Sequence, residues 1–226
     1  SYADNYDSDA TFDDGSCAGY PDNGEYVLSF DGVNDYVEID GQIEEITNSI
    51  SFLGWIKLDD DSKSRNPLFH VTDGSDAIYF GHQNDGESNL GFAINLDNGE
   101  RPGIQGGNID DNMYHHIAGT YDNEFLSIYI DGLIVGQTPA TGNIDFDFNS
   151  LSIGGGAVYL SGLIDEVSIW NQVLTISEIQ SYINTPPSGS ESGLLGYWKF
   201  DANDGNIAYD HSGNSNHGTI SGASWS

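Results

Sequence analysis

From residue 26 onward the chain alternates short apolar runs with clusters of Gly, Asn, Asp and Ser. YVLSF (26–30) and DYVEI (35–39) flank the turn DGVN (31–34), and ISFLGWIKL (50–58) is the longest early run. PLFHV (67–71), AIYFGH (77–82), LGFAIN (90–95), HHIAGTY (115–121) and FLSIYID (125–131) follow. Within the last of these, Leu126, Ile128 and Ile130 recur with period two, so they share one face of a strand. Asp131-Gly132 is a two-residue hairpin signal leading into LIVGQT (133–138). LSIG (151–154) and LSGLIDEVSIW (160–170) extend the series. Short strands separated by turn residues at intervals of roughly 8–12 residues predict a sandwich of two antiparallel sheets. One segment breaks the pattern. Thr175-Ile176-Ser177-Glu178 matches a capping box, and Ile176, Ile179 and Ile183 give an apolar stripe at helical spacing, so one short helix is expected. A Pro/Gly/Ser linker (186–193) precedes a last apolar run, LLGYWKFD (194–201), and a Gly/Asn/Ser-rich end.

Composition sharpens the picture. The 226 residues suit one large sandwich able to bury a sizeable core without disulfides. Five Lys and Arg against 36 Asp and Glu give a net charge of −31, a surface that repels nucleic acid and anionic membranes. Part of that acid has the chemistry of calcium ligands, and most of it suits a solvated surface in salty water. Either origin predicts a fold that depends on cations or salt. No apolar run approaches the ~20 residues of a membrane span, so no membrane insertion is expected. Residues 1–23 read as an acidic linker or the end of a cysteine-bounded repeat. Cys17 is the only cysteine, either a free thiol or one whose partner lies elsewhere in a larger protein with covalently linked neighbouring domains.

Several segments together resemble the laminin-G-like domains of the concanavalin A-like lectin and glucanase superfamily, as found in secreted bacterial multidomain proteins. They are FDGVNDYVEI (30–39), HHIAGTYD (115–122), LSIYIDGLIVG (126–136) and GLIDEVSIWNQVLTISEI (162–179). YWKFD (197–201) and DHSGNSNHGTISGASWS (210–226) resemble the opening of such a unit, yet here they come last. The resemblance implies an all-β, two-sheet antiparallel jelly roll with one short helix, spanning residues 24–226. In it, residues 191–226 fold back to supply a late edge strand and a calcium loop; the alternative is that they begin a second unit.

The resemblance also implies a Ca²⁺ site built from Asp165, Asp201 and the Asn214–His217 loop, with His217 contributing its carbonyl oxygen. Asp210 either anchors that loop by capping its amides or ligates directly. The turn at 30–35 reads as ordinary turn chemistry. Histidines 70, 82, 115, 116, 211 and 217 lack the spacing of a zinc site.

Catalysis is not expected. Related glucanases carry Glu-x-Asp-x-x-Glu on one strand face, and this sequence has no such run. Asp165 and Glu166 are adjacent, and strict strand alternation sends them to opposite faces. A nucleophile elbow and a phosphate loop are also missing. Polysaccharide or glycoprotein is the expected partner, with loop residues Tyr79, His82, Gln83, Asn84, Tyr114 and Tyr159 as candidate contacts, and Trp55, Trp170 and Trp198 assigned to the core. The function expected is therefore a calcium-stabilised binding or adhesion module, secreted, either free or anchored at the cell surface. The alternatives are a hydrolase or lyase on the same fold, or a structural spacer.

Overall fold

Period-two alternation and frequent turns produce strands almost throughout. The computed structural model describes residues 25–39, 43, 46–59, 65–72, 76–84, 88–145 and 151–226; the acidic segment 1–23 and Cys17 lie outside them. In chain order the strands are β1 (Leu28–Asp31), β2 (Tyr36–Ile39), β3 (Ile50–Leu58), β4 (Arg65–Thr72), β5 (Asp76–Asn84), β6 (Ser88–Ile94), β7 (Gly103–Asn108) and β8 (His115–Tyr121). There follow β9 (Phe125–Ile130), β10 (Leu133–Pro139), β11 (Leu151–Ile153), β12 (Ser161–Trp170), helix α1 (Ile176–Tyr182), β13 (Leu194–Trp198), β14 (Ile207–Ala208), β15 (Gly218–Ser221) and β16 (Ser224–Trp225).

They form two antiparallel sheets, a jelly-roll sandwich. The first runs β10-β9-β8-β3-β12-β1-β16, with β13 also on β12; the second runs β14-β15-β2-β11-β4-β5-β6-β7. Between them lies the main core, where Phe52 of the first sheet meets Phe69 of the second at 4.6 Å between ring centroids, with Phe80 and Phe92 beside it. Burying one such ring contributes about 2–3 kcal/mol. The Asp131-Gly132 turn between β9 and β10 has φ of 50° and 73°, the two positive angles a tight hairpin of this type requires.

Two features set up the outer face of the first sheet. First, α1 covers only part of it. The helix starts on the full capping box of Thr175 and Glu178 and lays Ile179 on a second cluster with Leu53, Ala118, Trp170 and Tyr197. Among the described residues, no further helix or strand covers the rest of that face. Second, β1 and β13 share one edge of β12. β1 pairs with residues 161–164 and β13 with 167–170, leaving a seam opposite Asp165 and Glu166. At that seam β12 carries an irregularity against β3, and Glu166 has φ 51°. The late segment reaches both sheets: β16 pairs with β1, and β15 with β2.

Candidate functional site

The open part of the outer face is read directly from β3. Phe52, Ile56 and Leu58 point into the main core, so Trp55 and Lys57 point out. Trp55 pairs with His116 on one side and with Asp165 on the other, so these three form a row across β8, β3 and β12. Lys57 stands one step along, its Nζ 5.7 Å from the ring centre of the exposed Tyr114. Trp55, Tyr114, Val27, Asp165 and Glu166 line a pocket of about 250 Å³.

Alternation predicted that Asp165 and Glu166 diverge. Both instead line this one pocket, because the β12 irregularity and the positive φ of Glu166 interrupt the pleat. The seam gathers further acid. Asp201, just past β13, accepts a hydrogen bond from the Tyr26 amide at 3.1 Å, which ties the end of β13 to the approach to β1. Burial first, then the charges of Glu166, Asp201 and Glu25, push the Asp165 carboxyl up to about 8. Glu166 accepts a hydrogen bond from the Tyr197 hydroxyl, whose pKa is raised by burial and by that carboxylate. His116 packs edge-on to Trp55 at 5.4 Å, and burial lowers it to about 4, so it is neutral at physiological pH. His115 instead bonds Asp131 at 2.9 Å and Asp111 at 3.1 Å. Burial works to lower its pKa, but those hydrogen bonds and charges carry it above the usual histidine value.

The residues expected to hold calcium fall into two groups. Asp165 and Asp201 both lie at the seam, and Asp165 feels the charges of Asp201, Glu166 and Glu25. Asp210, Asn214 and His217 form a separate hydrogen-bonded knot against β13. The fully buried Asp210 accepts from the amides of Tyr197, Ser212 and Asn216 at 2.8–2.9 Å, which is the capping role. His217 Nδ1 accepts from the Asp210 amide at 3.0 Å. Asn214 donates its side-chain amide to the carbonyls of Leu194 and Leu195. Among the described residues, no three His, Cys, Asp or Glu side chains gather as a metal-binding group by themselves. Asp165 and Asp201 nonetheless have the hard oxygen donors that calcium prefers, with backbone carbonyls as the usual complement.

The candidate glycan contacts need correction. Tyr79 and His82 are not loop residues: both lie in β5 with no exposed surface. Arg65 stacks on Tyr79 at 3.9 Å, and His82 is hydrogen-bonded to Asn66 at 3.0 Å. Asn84 ends β5, and its side chain lies outside the described residues. Tyr159 is half-buried beside Tyr36, ring centroids 6.4 Å apart, away from the pocket row. Trp170 and Trp198 are fully buried, whereas Trp55, also expected in the core, forms the pocket floor.

Residues 31–180 match the family described as the concanavalin A-like lectin/glucanases superfamily, in its laminin G branch. The chain belongs to that family. Among solved structures, a candidate carbohydrate binding protein from Bacteroides ovatus superposes with a TM-score of 0.73 at 19% identity, over 89% of this chain and 59% of that one. The heptameric SAP-like pentraxin of Limulus polyphemus gives 0.53 at 12% identity, over 70% and 81% of the two chains. Domains LG4-5 of the mouse laminin alpha1 chain give 0.53 at 14%, over 71% and 46%. At these identities the likeness is one of fold, and this chain spans 59% of the length of the Bacteroides ovatus protein.

Proposed function

We propose that this chain is a carbohydrate-binding module whose glycan sits in the pocket on the open part of the first sheet's outer face. One observation carries the reading: two aromatic rings, Trp55 and Tyr114, share a pocket with two carboxyl groups. The C–H faces of a sugar ring pack on aromatic planes, and its hydroxyls hydrogen-bond to carboxyl oxygens. The family, and the carbohydrate binding ascribed to the Bacteroides ovatus protein, support the same reading.

Calcium is proposed as a structural cation of the seam, with Asp165 and Asp201 as its carboxylates. The mutual repulsion around Asp165 supports this, since a hard divalent ion offsets it. Its chemistry there is charge neutralisation. Secretion and adhesion at a cell surface, to polysaccharide or glycoprotein, complete the proposal. The hydrolase alternative has one observation in its favour, the two carboxyl groups in one pocket, and release of reducing ends from a polysaccharide would decide for it.

Affinity electrophoresis against neutral, acidic and amine-bearing polysaccharides tests the main reading. Binding is expected to at least one, and Trp55→Ala should weaken it by about tenfold or more, the loss of roughly 1.4 kcal/mol of stacking. Silence across all three classes, or binding that Trp55→Ala leaves intact, overturns it.

A further inference from the structure

The pocket combines two chemistries that are each ordinary and together selective. Its walls are aromatic, and the charges within and beside it are predominantly negative. Asp165 and Glu166 line it, and Asp201 and Glu25 add their fields at the same seam. One divalent ion between Asp165 and Asp201 would carry two positive charges against four acidic groups, so the surroundings do not turn cationic with it. Lys57 Nζ already lies over the ring of Tyr114, so the aromatic face offered to a ligand's cation is that of Trp55. A cation gains from an aromatic face, and more so beside a carboxylate in a partly desolvated site. Over the whole molecule, a net charge of −31 concentrates cationic ligands near the surface and repels uronates and sulfated glycans.

We propose that the pocket is built for a positively charged sugar, a hexosamine unit with a free amine, stacked on Trp55 with its ammonium against Glu166. This rests on reading the pocket as the glycan seat, and it names the class of glycan. Acetylation of the amine removes the charge while leaving the ring and its hydroxyls, so one pair of ligands isolates the claim. Glu166 is the residue to change: glutamine keeps an acceptor for the Tyr197 hydroxyl and removes the charge.

The test is calorimetric titration of the intact protein, in mildly acidic buffer where the sugar amine is protonated, with glucosamine oligomers and with their N-acetylated counterparts. The deacetylated oligomer is expected to bind about tenfold or more tightly, the worth of one charge-assisted contact. That preference should shrink with added sodium chloride and be lost in Glu166→Gln, with far-ultraviolet circular dichroism and the melting temperature confirming that the variant folds. Equal affinity for the two oligomers, or a preference that Glu166→Gln leaves unchanged, overturns the proposal. Spermidine binding as tightly as the amino-sugar oligomer also overturns it, because the site would then read charge without a sugar. If neither oligomer binds but a neutral glycan does, sensitively to Trp55→Ala, the amine claim fails and the glycan seat stands. If no glycan of any class binds, both fail.

Discussion

A carboxyl group lifted from 3.8 to about 8, as Asp165 is, holds its proton more tightly in the folded chain than in the unfolded one. Such a group contributes stability that is fully present below about 3.8 and is lost as the pH rises toward about 8. Chelator-treated protein should therefore melt at progressively lower temperature across that interval. Asp165→Asn should flatten the fall, leaving the variant more stable at the alkaline end by on the order of 1–3 kcal/mol, after allowing for the group's partial exposure. Added calcium should raise the melting temperature of the wild type and leave the variant unmoved. Parallel melting curves for the two proteins would remove Asp165 from the account. The residue scale is also where sequence reading was least complete. Trp55 was legible in principle: with Phe52, Ile56 and Leu58 facing inward, the residues beside them face out, and the neighbouring Lys57 marks the solvent side. Glu166 was not legible, because nothing in Ile-Asp-Glu-Val signals that the pleat is interrupted there. Tyr79 and His82 read as loop contacts, but β5 runs on through both to Asn84, so both are covered.

Among the elements, the strands with strong alternation and the capped helix lie close to where the hydrophobic pattern puts them. β7 did not stand out: GIQGGN has one large apolar residue, too few for a hydrophobic period to show in the sequence. β14 and β16 are two-residue pairings fixed by their neighbours rather than by their own sequence. The seam where Asp165 feels the charges of Glu166 and Asp201 belongs to the same class of fact, since it exists only because β1 and β13 divide one edge of β12. The knot after β14 gives a sharp test of whether the late loop is held by hydrogen bonds or by metal. Asp210 is fully buried and caps three backbone amides. Asp210→Ala leaves those donors without their acceptor, at a cost of about 1–3 kcal/mol for each that stays buried. Urea unfolding should show a loss on the order of 3 kcal/mol, and the same loss in the presence of chelator. A cost that disappears under chelation would mean that Asp210 acts through a bound ion instead.

For the molecule as a whole, charge is the dominant fact, and it works against the compact state. Folding brings most of the 36 acidic side chains closer together than in the extended chain, with only five Lys and Arg to offset them. Exposed charges farther apart than about 10 Å are largely screened at ~0.1 M salt, so this repulsion is tunable by ionic strength while the hydrophobic core is nearly indifferent to moderate sodium chloride. The melting temperature should therefore climb steeply from low salt to about 0.1–0.5 M sodium chloride and then level off as the screening length falls below the spacing of neighbouring carboxylates. The seam responds differently, because its charges are close and partly buried, where screening is weak. Monovalent salt should leave a residual response to calcium that Asp165→Asn abolishes, whereas the general salt response should persist in that variant. A melting temperature flat in sodium chloride would mean that the acidic surface is too widely spaced to oppose folding, and the cation dependence would then rest on the seam alone.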